Sequence, residues 1–566
     1  MTRRLALVAL LYGVLTPAAL AASPVTLLPG VTFEQGVQFT LHGPVAVDVI
    51  TAPRPGDQQG LYALAAVTAH GPLTAGRDRL TRIERDLSAQ ATVVGIDGDF
   101  PAKAGLPAGI LMQGGALEHT PEPARSSIGI DQAGTLHVDR VSFAGSWQGT
   151  GQRRPVAAVN QPPARNQVVL LTPAYGSTAP AVAGSAEVVL QPLAAAVPGA
   201  DLQAPAVAVG AGGGEAIPPD GAVLQATGTA VASLQAEAPA GTPVTVRLAL
   251  EPTWAGTVSA LGGGPVLVRA GKAVFRSGES FTSDQISDRG PRAAVGQLAD
   301  GRVILVAVDG DQPGYSVGMT SFELAQTMAR LGAVTACAVA SGGEVTAAFD
   351  GRLLDRPSVS GGGAMGDALL EEYFGVYAPP PPEPLLNGDP GADTEPLQYK
   401  LVRPSTVTAE LVGPDGTVHP IESSVAHDPG TYTAAADAST LQPEGEWHWN
   451  VTARDDLGRV STIDRAFLVD STLRGLAVAP APGRANVRFV LGHAATVRLR
   501  IETAGGVTVR ALPAVALPVG PQSLAWDGRL PGGARAPGGA YVAHVFATSD
   551  VGTSDLQASF TLRAAP

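Results

Sequence analysis

The sequence predicts a large α+β domain, built on a β-rich mixed sheet with helices, followed by two all-β sandwiches. Three observations carry this reading. The chain has 566 residues, several times the usual size of a domain, so more than one core is expected. A proline run, Ala378-Pro379-Pro380-Pro381-Pro382-Glu383-Pro384, forms a stiff extended segment suited to neither sheet nor helix. Beyond it, Pro443, Gly445, Trp447, Val451, Ala453, Asp456 and Gly458 recur as Pro537, Gly539, Tyr541, Val545, Ala547, Asp550 and Gly552 at one constant offset, the mark of a duplicated module.

The first element is a leader over residues 1–21. Arg3 and Arg4 precede an apolar stretch from Leu5 to Leu15, and Ala19-Leu20-Ala21 supplies a small-residue cleavage site, the pattern of a secretory signal. A spanning anchor needs about 20 apolar residues, and Pro17 interrupts this shorter run. The mature chain is therefore expected to be secreted or held at the cell surface, with no transmembrane segment of its own. Four further regions follow: a large domain over 22–377, a proline-rich linker over 378–390, and sandwiches over 391–473 and 474–566.

Composition narrows the partners. With hydrophobic residues at 45% and charged residues at 15%, the chain can bury cores and is not globally disordered. A formal charge of −13 repels phosphate backbones and argues against nucleic-acid binding, so an anionic substrate needs a local arginine. None of the nine histidines shows a paired ligand spacing, so no metal site and no cofactor are expected. The lone Cys337, inside an apolar run, reads as a buried structural thiol.

Within the large domain, Leu80, Ile83 and Leu87 have helical spacing, and an apolar strand over Thr92–Ile96 ends in Asp97-Gly98-Asp99-Phe100. From about 140 to 250 the pattern is of short strands. Val303–Val308 is a buried strand ending in Asp309-Gly310. A helix follows, with a capping box from Thr320 to Glu323, apolar Phe322, Ala325, Met328 and Ala329, and Gly332 as its stop. A second strand, Val334–Val339, runs into Ser341-Gly342-Gly343-Glu344. As a right-handed βαβ unit, these elements place the Asp309 and Ser341 loops at one sheet edge. Asp350-Gly351 reads as a hairpin turn. Asp97, Asp99, Arg292 and Asp309 are thus ionisable groups beside glycines at strand ends, a pattern that turn chemistry alone also produces.

Taken together, these segments resemble the phosphodiester glycosidase (uncovering enzyme) family over roughly residues 30–376. The resemblance rests on Val94 to Phe100, Gly105-Leu106-Pro107-Ala108-Gly109, Gln113-Gly114-Gly115, Leu261-Gly262-Gly263-Gly264-Pro265, Pro291-Arg292-Ala293-Ala294-Val295-Gly296, and Val308-Asp309-Gly310 through Thr320. It implies hydrolysis of a sugar 1-phosphodiester, with Arg292 on the phosphate and Asp309, Asp97, Asp99 or Glu344 as the reacting carboxylate. Gly310, Ser341, Gly342, Gly343 and Asp367 are the implied substrate-binding positions. Trp526-Asp527-Gly528 followed by Pro537-Gly538-Gly539-Ala540-Tyr541 is similar to the immunoglobulin-like module of flagellar hook-capping proteins, which implies spacing or attachment.

The chain departs from the family pattern where chemistry is expected. Asp97 replaces an asparagine, and Pro101 replaces the second of two phenylalanines. The pattern Leu-Asp-Gly-Gly-Gly-Ser-Ser-Thr reads Val339-Ala340-Ser341-Gly342-Gly343-Glu344-Val345-Thr346, which loses one acid at Ala340 and two hydroxyls at Glu344 and Val345. Asp367 stands for another asparagine. Two functions follow: an active hydrolase of a sugar phosphodiester in an extracellular glycan or wall polymer, or a catalytically degenerate relative that binds surface glycan or serves architecture.

Overall fold

The computed structural model describes residues 20–21, 23–100, 106–274, 278–382, 385–387 and 394–563. Most of the expected leader, the family-like Gly105 and the Phe100-Pro101 departure at Pro101 lie outside them, as does part of the proline-rich segment. Strands take 53% of the residues and helices 7%, so the chain is mostly β rather than α+β. Contacts divide it into two units, at Phe374 and Gly375.

In the first unit the site is placed by strands β1 (Gly43–Ala52), β2 (Thr92–Asp97), β3 (Arg292–Leu298), β4 (Val303–Val308), β5 (Ala333–Ser341), β6 (Ala347–Phe349) and β7 (Asp367–Tyr373). Helices α1 (Leu80–Leu87) and α2 (Ser321–Arg330) accompany them. A nine-stranded sheet carries β1, β4, β3 and β5 in that order, and a five-stranded sheet carries β6, β2 and β7. Eight further strands between Ser142 and Glu251 form a sheet of their own, over a core that includes Trp147, Leu190, Leu224 and Leu248.

The mixed sheet expected from a βαβ unit is corrected by the pairing. β4 and β5 do run in the same direction, but β3 lies between them, antiparallel to both. The cause is local. Only Ala299 to Arg302 separate β3 from β4, and Gly301 turns there at φ 92°, so the two strands close as a hairpin before α2 can carry the chain across. Among the described pairings of this unit, one alone is parallel, Ala158–Val159 with Val168–Leu171.

α2 begins with the expected capping box, in which Thr320 accepts from the Glu323 amide while the Glu323 side chain accepts from the Thr320 amide. Its buried face is Leu324, Ala325, Thr327 and Met328, whereas Phe322 is 42% exposed. Phe322 lies two residues before Leu324, roughly 200° around the helix. α1 buries Leu80, Ile83 and Glu84. Asp350 and Gly351 both have positive φ, 48° and 79°, and join β6 to Arg352–Leu353 in the conformation favoured by tight hairpins. Cys337 is fully buried.

In the second unit, a five-stranded and a two-stranded sheet occupy the region from Leu385 to Val469, and a three-stranded and a five-stranded sheet follow from Leu473 to Leu562. The latter two enclose one core, with Val487 and Phe489 on one side and Val497, Leu499 and Val545 on the other. The repeat has a structural counterpart. Trp447 Nε1 donates to Pro443 O at 3.1 Å, and Tyr541 Oη donates to Pro537 O at 2.9 Å, the same four-residue reach in both copies. Val376 N donates to Ser461 Oγ, and Arg465 Nε donates to Ala378 O, so residues just before the prolines pack within this unit.

Candidate active site

Arg292 heads β3, paired with Val308 of β4 on one side and Ser341 of β5 on the other. The Asp309 and Ser341 loops therefore leave one edge of the sheet, beside Arg292. Facing residues of an antiparallel pair lie on one side of a sheet, and this separates the groups. Arg292 shares its side with Val308, which packs with Leu324 and Met328 of α2. Its guanidinium donates to Met319 O (Nε, 3.2 Å) and Asp288 O (Nη2, 2.6 Å). Burial lowers its pKa, opposed by Asp288 and Asp311. Asp309, the next residue after Val308, turns to the opposite side, where Asp48 of β1 lies, paired with Ala307.

The loop after β4 is built around Asp309. Ser316 Oγ donates to Asp309 O at 2.5 Å and accepts from Ala46 N at 3.0 Å. Tyr315 Oη donates to Asp309 Oδ2 at 2.7 Å, and Arg356 N reaches the same oxygen at 3.4 Å. The Arg356 guanidinium stacks 4.6 Å from the centre of the Tyr315 ring, and Gln312 Nε2 donates to Arg356 O at 2.7 Å. These contacts dock Asp355-Arg356 onto the Asp309 loop.

The result is a group of carboxylates short of donors. Asp309 Oδ1, Asp48 Oδ2 and both Asp355 oxygens are sealed from solvent without a hydrogen-bond partner. Such burial disfavours the charged form. It pushes Asp48 up to about 8, with Asp309 adding to the rise and Gln35, which donates to Oδ1 at 2.8 Å, opposing it. Burial likewise pushes Asp355 up to about 7, with the Ala347 backbone opposing and Asp309 adding to the rise. Asp309 is also raised by burial, but Tyr315, the Arg356 amide and its guanidinium pull it back. Burial thus raises all three carboxyls, and at Asp309 a hydroxyl, an amide and a guanidinium oppose the rise.

Asp97 is fully buried at the end of β2 beside Thr346, with neither oxygen in hydrogen-bonding geometry. Burial holds its carboxyl well above the usual range, and Asp355 and Glu344 add to the rise. Asp99 faces a different set of partners. Its Oδ2 accepts from Gly109 N at 2.5 Å, and its Oδ1 accepts from Phe100 N at 2.7 Å and Arg125 Nη2 at 3.4 Å. Its own amide donates to Asp367 Oδ1 at 2.7 Å. Asp99 is raised by burial, with Arg125 opposing, and Asp367 is raised by burial and by Asp99. Glycine is required here. A Cβ at Gly98 would come within 2.1 Å of Asp367 Oδ1, and one at Gly262 within 2.1 Å of Asp99 Oδ2.

Other positions named from sequence are backbone features. A Cβ at Gly310 would lie 2.5 Å from Pro291 N, so Gly310 lets the chain entering β3 pass. Gly342 takes φ 90° and donates to Pro291 O at 3.1 Å. Ser341, Gly343 and Glu344 complete this turn, with Gly343 facing Val359. Ala340 is a buried methyl at the end of β5.

Sequence reasoning missed Asp48, Asp355, Tyr315, Arg356 and Arg125. Asp48 interrupts an otherwise apolar run, Val45-Ala46-Val47-Asp48-Val49-Ile50, which is a readable signal. Arg125 also had one. Arg125-Ser126-Ser127-Ile128-Gly129 repeats the pattern of Arg292-Ala293-Ala294-Val295-Gly296, an arginine before two small residues, a branched residue and glycine. Its guanidinium is held 4.6 Å from the Phe100 ring centre and 4.9 Å from that of Phe281. It lines a groove of about 820 Å³ with His119, Gln161 and Ser280. Asp355 and Tyr315 carry no such mark.

No curated protein matches this chain. Among solved structures it is similar to a hypothetical protein from Synechocystis, at 23% identity and a TM-score of 0.52 over 63% of this chain and 64% of that one. It thus spans slightly under two thirds of that protein, and the likeness shows fold. It is also similar to a protein from Burkholderia pseudomallei, at 23% identity over 58% and 74% of the chains with a TM-score of 0.46. A third is the catalytic domain of zebrafish N-acetylglucosamine-1-phosphodiester alpha-N-acetylglucosaminidase, at 13% identity over 63% and 87% with a TM-score of 0.33. Family models match two segments, and the first contains Arg292, Asp309, Glu344, Asp355 and Asp367. The chain carries a phosphodiester glycosidase domain over residues 199–376 and a FlgD Ig-like domain over residues 480–550.

Proposed function

We propose that this protein is an exported hydrolase of a sugar 1-phosphodiester in an extracellular glycan or wall polymer, with Asp309 and Asp355 as its reacting carboxylates. One observation carries the reading: two neighbouring carboxylates, both raised by burial, differ in their partners, Asp309 facing the Tyr315 hydroxyl and Arg356 while Asp355 is pushed up to about 7. Such pairs divide acid and base roles between them. Asp309, favoured as the anion by Tyr315 and Arg356, suits attack on, or activation of water toward, an anomeric carbon with oxocarbenium character. Asp355, pushed up to about 7, suits proton donation to the leaving phosphate oxygen. Asp48 adds a second protonated neighbour.

The phosphate needs a cation. Arg292 is held by two carbonyls on the helix side of the sheet, whereas Arg356, stacked on Tyr315, and Arg125, lining a groove, are the alternatives. A guanidinium fork matches phosphate oxygens in pairs. Residues 391–473 and 474–566 are read as two Ig-like sandwiches after a connecting segment over 378–390, serving to space or attach the large domain. A binding or architectural role is favoured by two features, the methyl of Ala340 where the family pattern has an acid and the commitment of Arg292 to carbonyls.

The test is release of reducing sugar from a panel of nucleotide-sugars and wall-type glycosyl phosphodiesters. Turnover by the folded protein that is lost in Asp309→Asn supports the hydrolase. Absence of turnover across the panel, with binding of the same compounds retained, establishes the binding role instead.

A further inference from the structure

We propose that the concavity lined by Arg79, Arg82, Arg85 and Arg352 binds the phosphoryl groups of an anionic polymer, next to the carboxylate site but separate from it. The concavity measures about 720 Å³, and Asp78, Thr81, Gly351, Leu353 and Gly361 complete its wall, a size in the range of small-ligand sites. Arg82 and Arg85, three residues apart, lie on the solvent side of α1, opposite buried Leu80 and Ile83, and Arg79 is the extended residue just before its first turn. Arg352 joins them from the hairpin beyond β6. All four are exposed.

Like charges at this spacing destabilise a helix. In a chain of formal charge −13, composition does not explain their convergence. Acidic neighbours offset it only in part: Arg82 pairs with Asp86 at 3.1 Å between two exposed side chains, and Asp78 lies at the rim. Glu84 lies beneath the arginines on the buried face, where its Oε2 accepts from Gly351 N at 2.7 Å and burial pushes its carboxyl well above the usual range.

The backbone is shaped to admit the guanidinium groups. Gly351 and Gly361 both have positive φ, 79° and 78°. A Cβ at Gly351 would lie 2.5 Å from Arg85 Cγ, and one at Gly361 would lie 2.8 Å from Arg79 Nη1. Arg85 Nη2 donates to Gly351 O at 2.6 Å, which fixes one guanidinium against the floor. Four planar forks exceed what a single phosphate can occupy, which points to a ligand with repeated phosphoryl groups. A flat lipid surface fits less well, because Leu353 is the one large apolar side chain in the wall.

The segment from Gly351 to Gly363 links this concavity to the carboxylates. It carries Asp355 and Arg356, and its end lies against the Ser341 loop, since a Cβ at Gly362 would meet Thr346 Oγ1 and one at Gly363 would meet Glu344 Cα. A polymer held by the arginines is therefore retained beside Asp355. The anion site stands on its own observations, while its service to a hydrolase rests on the function proposed above.

The experiment compares the full-length protein with an Arg79→Gln/Arg82→Gln/Arg352→Gln variant, which leaves Arg85 on Gly351. The probes are short linear inorganic polyphosphate and phosphatidylglycerol vesicles, titrated at two salt concentrations. The expected result is polyphosphate binding by the parent that weakens as salt rises, and an affinity about tenfold or more lower in the variant. Equal binding by both proteins, or none by the parent, overturns the site. Arginine-dependent binding of vesicles in preference to polyphosphate overturns the polymer in favour of a lipid surface. Turnover of a small glycosyl phosphodiester is expected to be the same in both. Polyphosphate binding without any turnover removes the hydrolase and keeps the site, whereas turnover without arginine-dependent binding does the reverse.

Discussion

Tyr315 donates its hydroxyl to Asp309 Oδ2 at 2.7 Å while its ring supports the Arg356 guanidinium at 4.6 Å. One side chain thus orients both an anion and a cation beside it. In Tyr315→Phe the ring and the stacking persist but Asp309 loses a donor. Its carboxylate is less favoured, so the acid limb of the kcat/KM profile is expected to move to higher pH, with turnover at pH 5 falling roughly tenfold. A profile superimposable on the parent's would remove Asp309 from the rate equation.

Asp355→Asn keeps the shape of the protonated acid and removes its proton. Loss of a positioned general acid costs about 10² to 10⁴ in turnover, measured on a substrate with a poor leaving group. The same change has a stability signature. Asp355 titrates near 7 when folded and near 3.9 when unfolded, so the parent loses stability as pH rises between those values. The asparagine variant lacks this contribution to the loss. Its melting temperature relative to the parent is expected to increase from pH 5 to pH 8.

The large domain as a whole should show the same sign. Asp48 is pushed up to about 8, and Asp355, Glu118 and Glu372 to about 7, in each case chiefly by burial. Between about pH 4 and these values the folded state holds protons that the unfolded state has released, and stability falls as pH rises. Thermal unfolding across pH 5 to 8 checks this. A melting temperature that climbs through that window would contradict the burial of these groups.

Arg292→Lys removes the planar reach that joins Met319 O and Asp288 O. A lysine cannot make both bonds from one place, and leaving a buried carbonyl unmatched costs about 1–3 kcal/mol. The expected outcome is a lower melting temperature without ligand, with any fall in turnover following from it. Unchanged stability with a large rise in KM would instead identify Arg292 as the phosphate clamp.

Truncation tests where the first unit ends. Val376 and Ala378 bond to Ser461 and Arg465 within the second unit, so a chain ending at Phe374 is expected to fold and keep the turnover of the intact protein. Circular dichroism and the reducing-sugar assay read this out. An unfolded product would show that residues beyond Phe374 complete the core.

Part of this arrangement was legible in the sequence because it is encoded locally. The strand before Asp309, the Thr320–Glu323 box and the Asp350-Gly351 turn each depend on neighbours a few residues apart, and all three are present. The order β4, β3, β5 was not legible, since apolar periodicity marks a strand without naming its partner. Asp355 was missed for a similar reason. Nothing in Leu353-Leu354-Asp355-Arg356 marks it, and it acquires its chemistry only where tertiary contacts set it on the Asp309 loop. Arg292 and Asp309 were expected to cooperate because both occupy the same sheet edge, but alternation along the strands sends their side chains to opposite sides.

The pairing of β1 with β4 sets Asp48 beside Ala307, although about 260 residues separate them along the chain. Closing so long a loop is slow, and assembly of such distant strands sets the pace of folding. The sheet between Ser142 and Glu251 packs on a core completed by Ile110, Met112, Leu117 and Ala260, all of which precede β4 in the chain, and it can form while β1 still waits for its neighbour. During synthesis the carboxylates consequently remain hydrated and ordinary in acidity until almost the whole large domain has been made. The upward shift of the Asp48 and Asp355 carboxyls is acquired late, when β4 docks and water is expelled, and any reactivity that depends on it appears only in the completed fold.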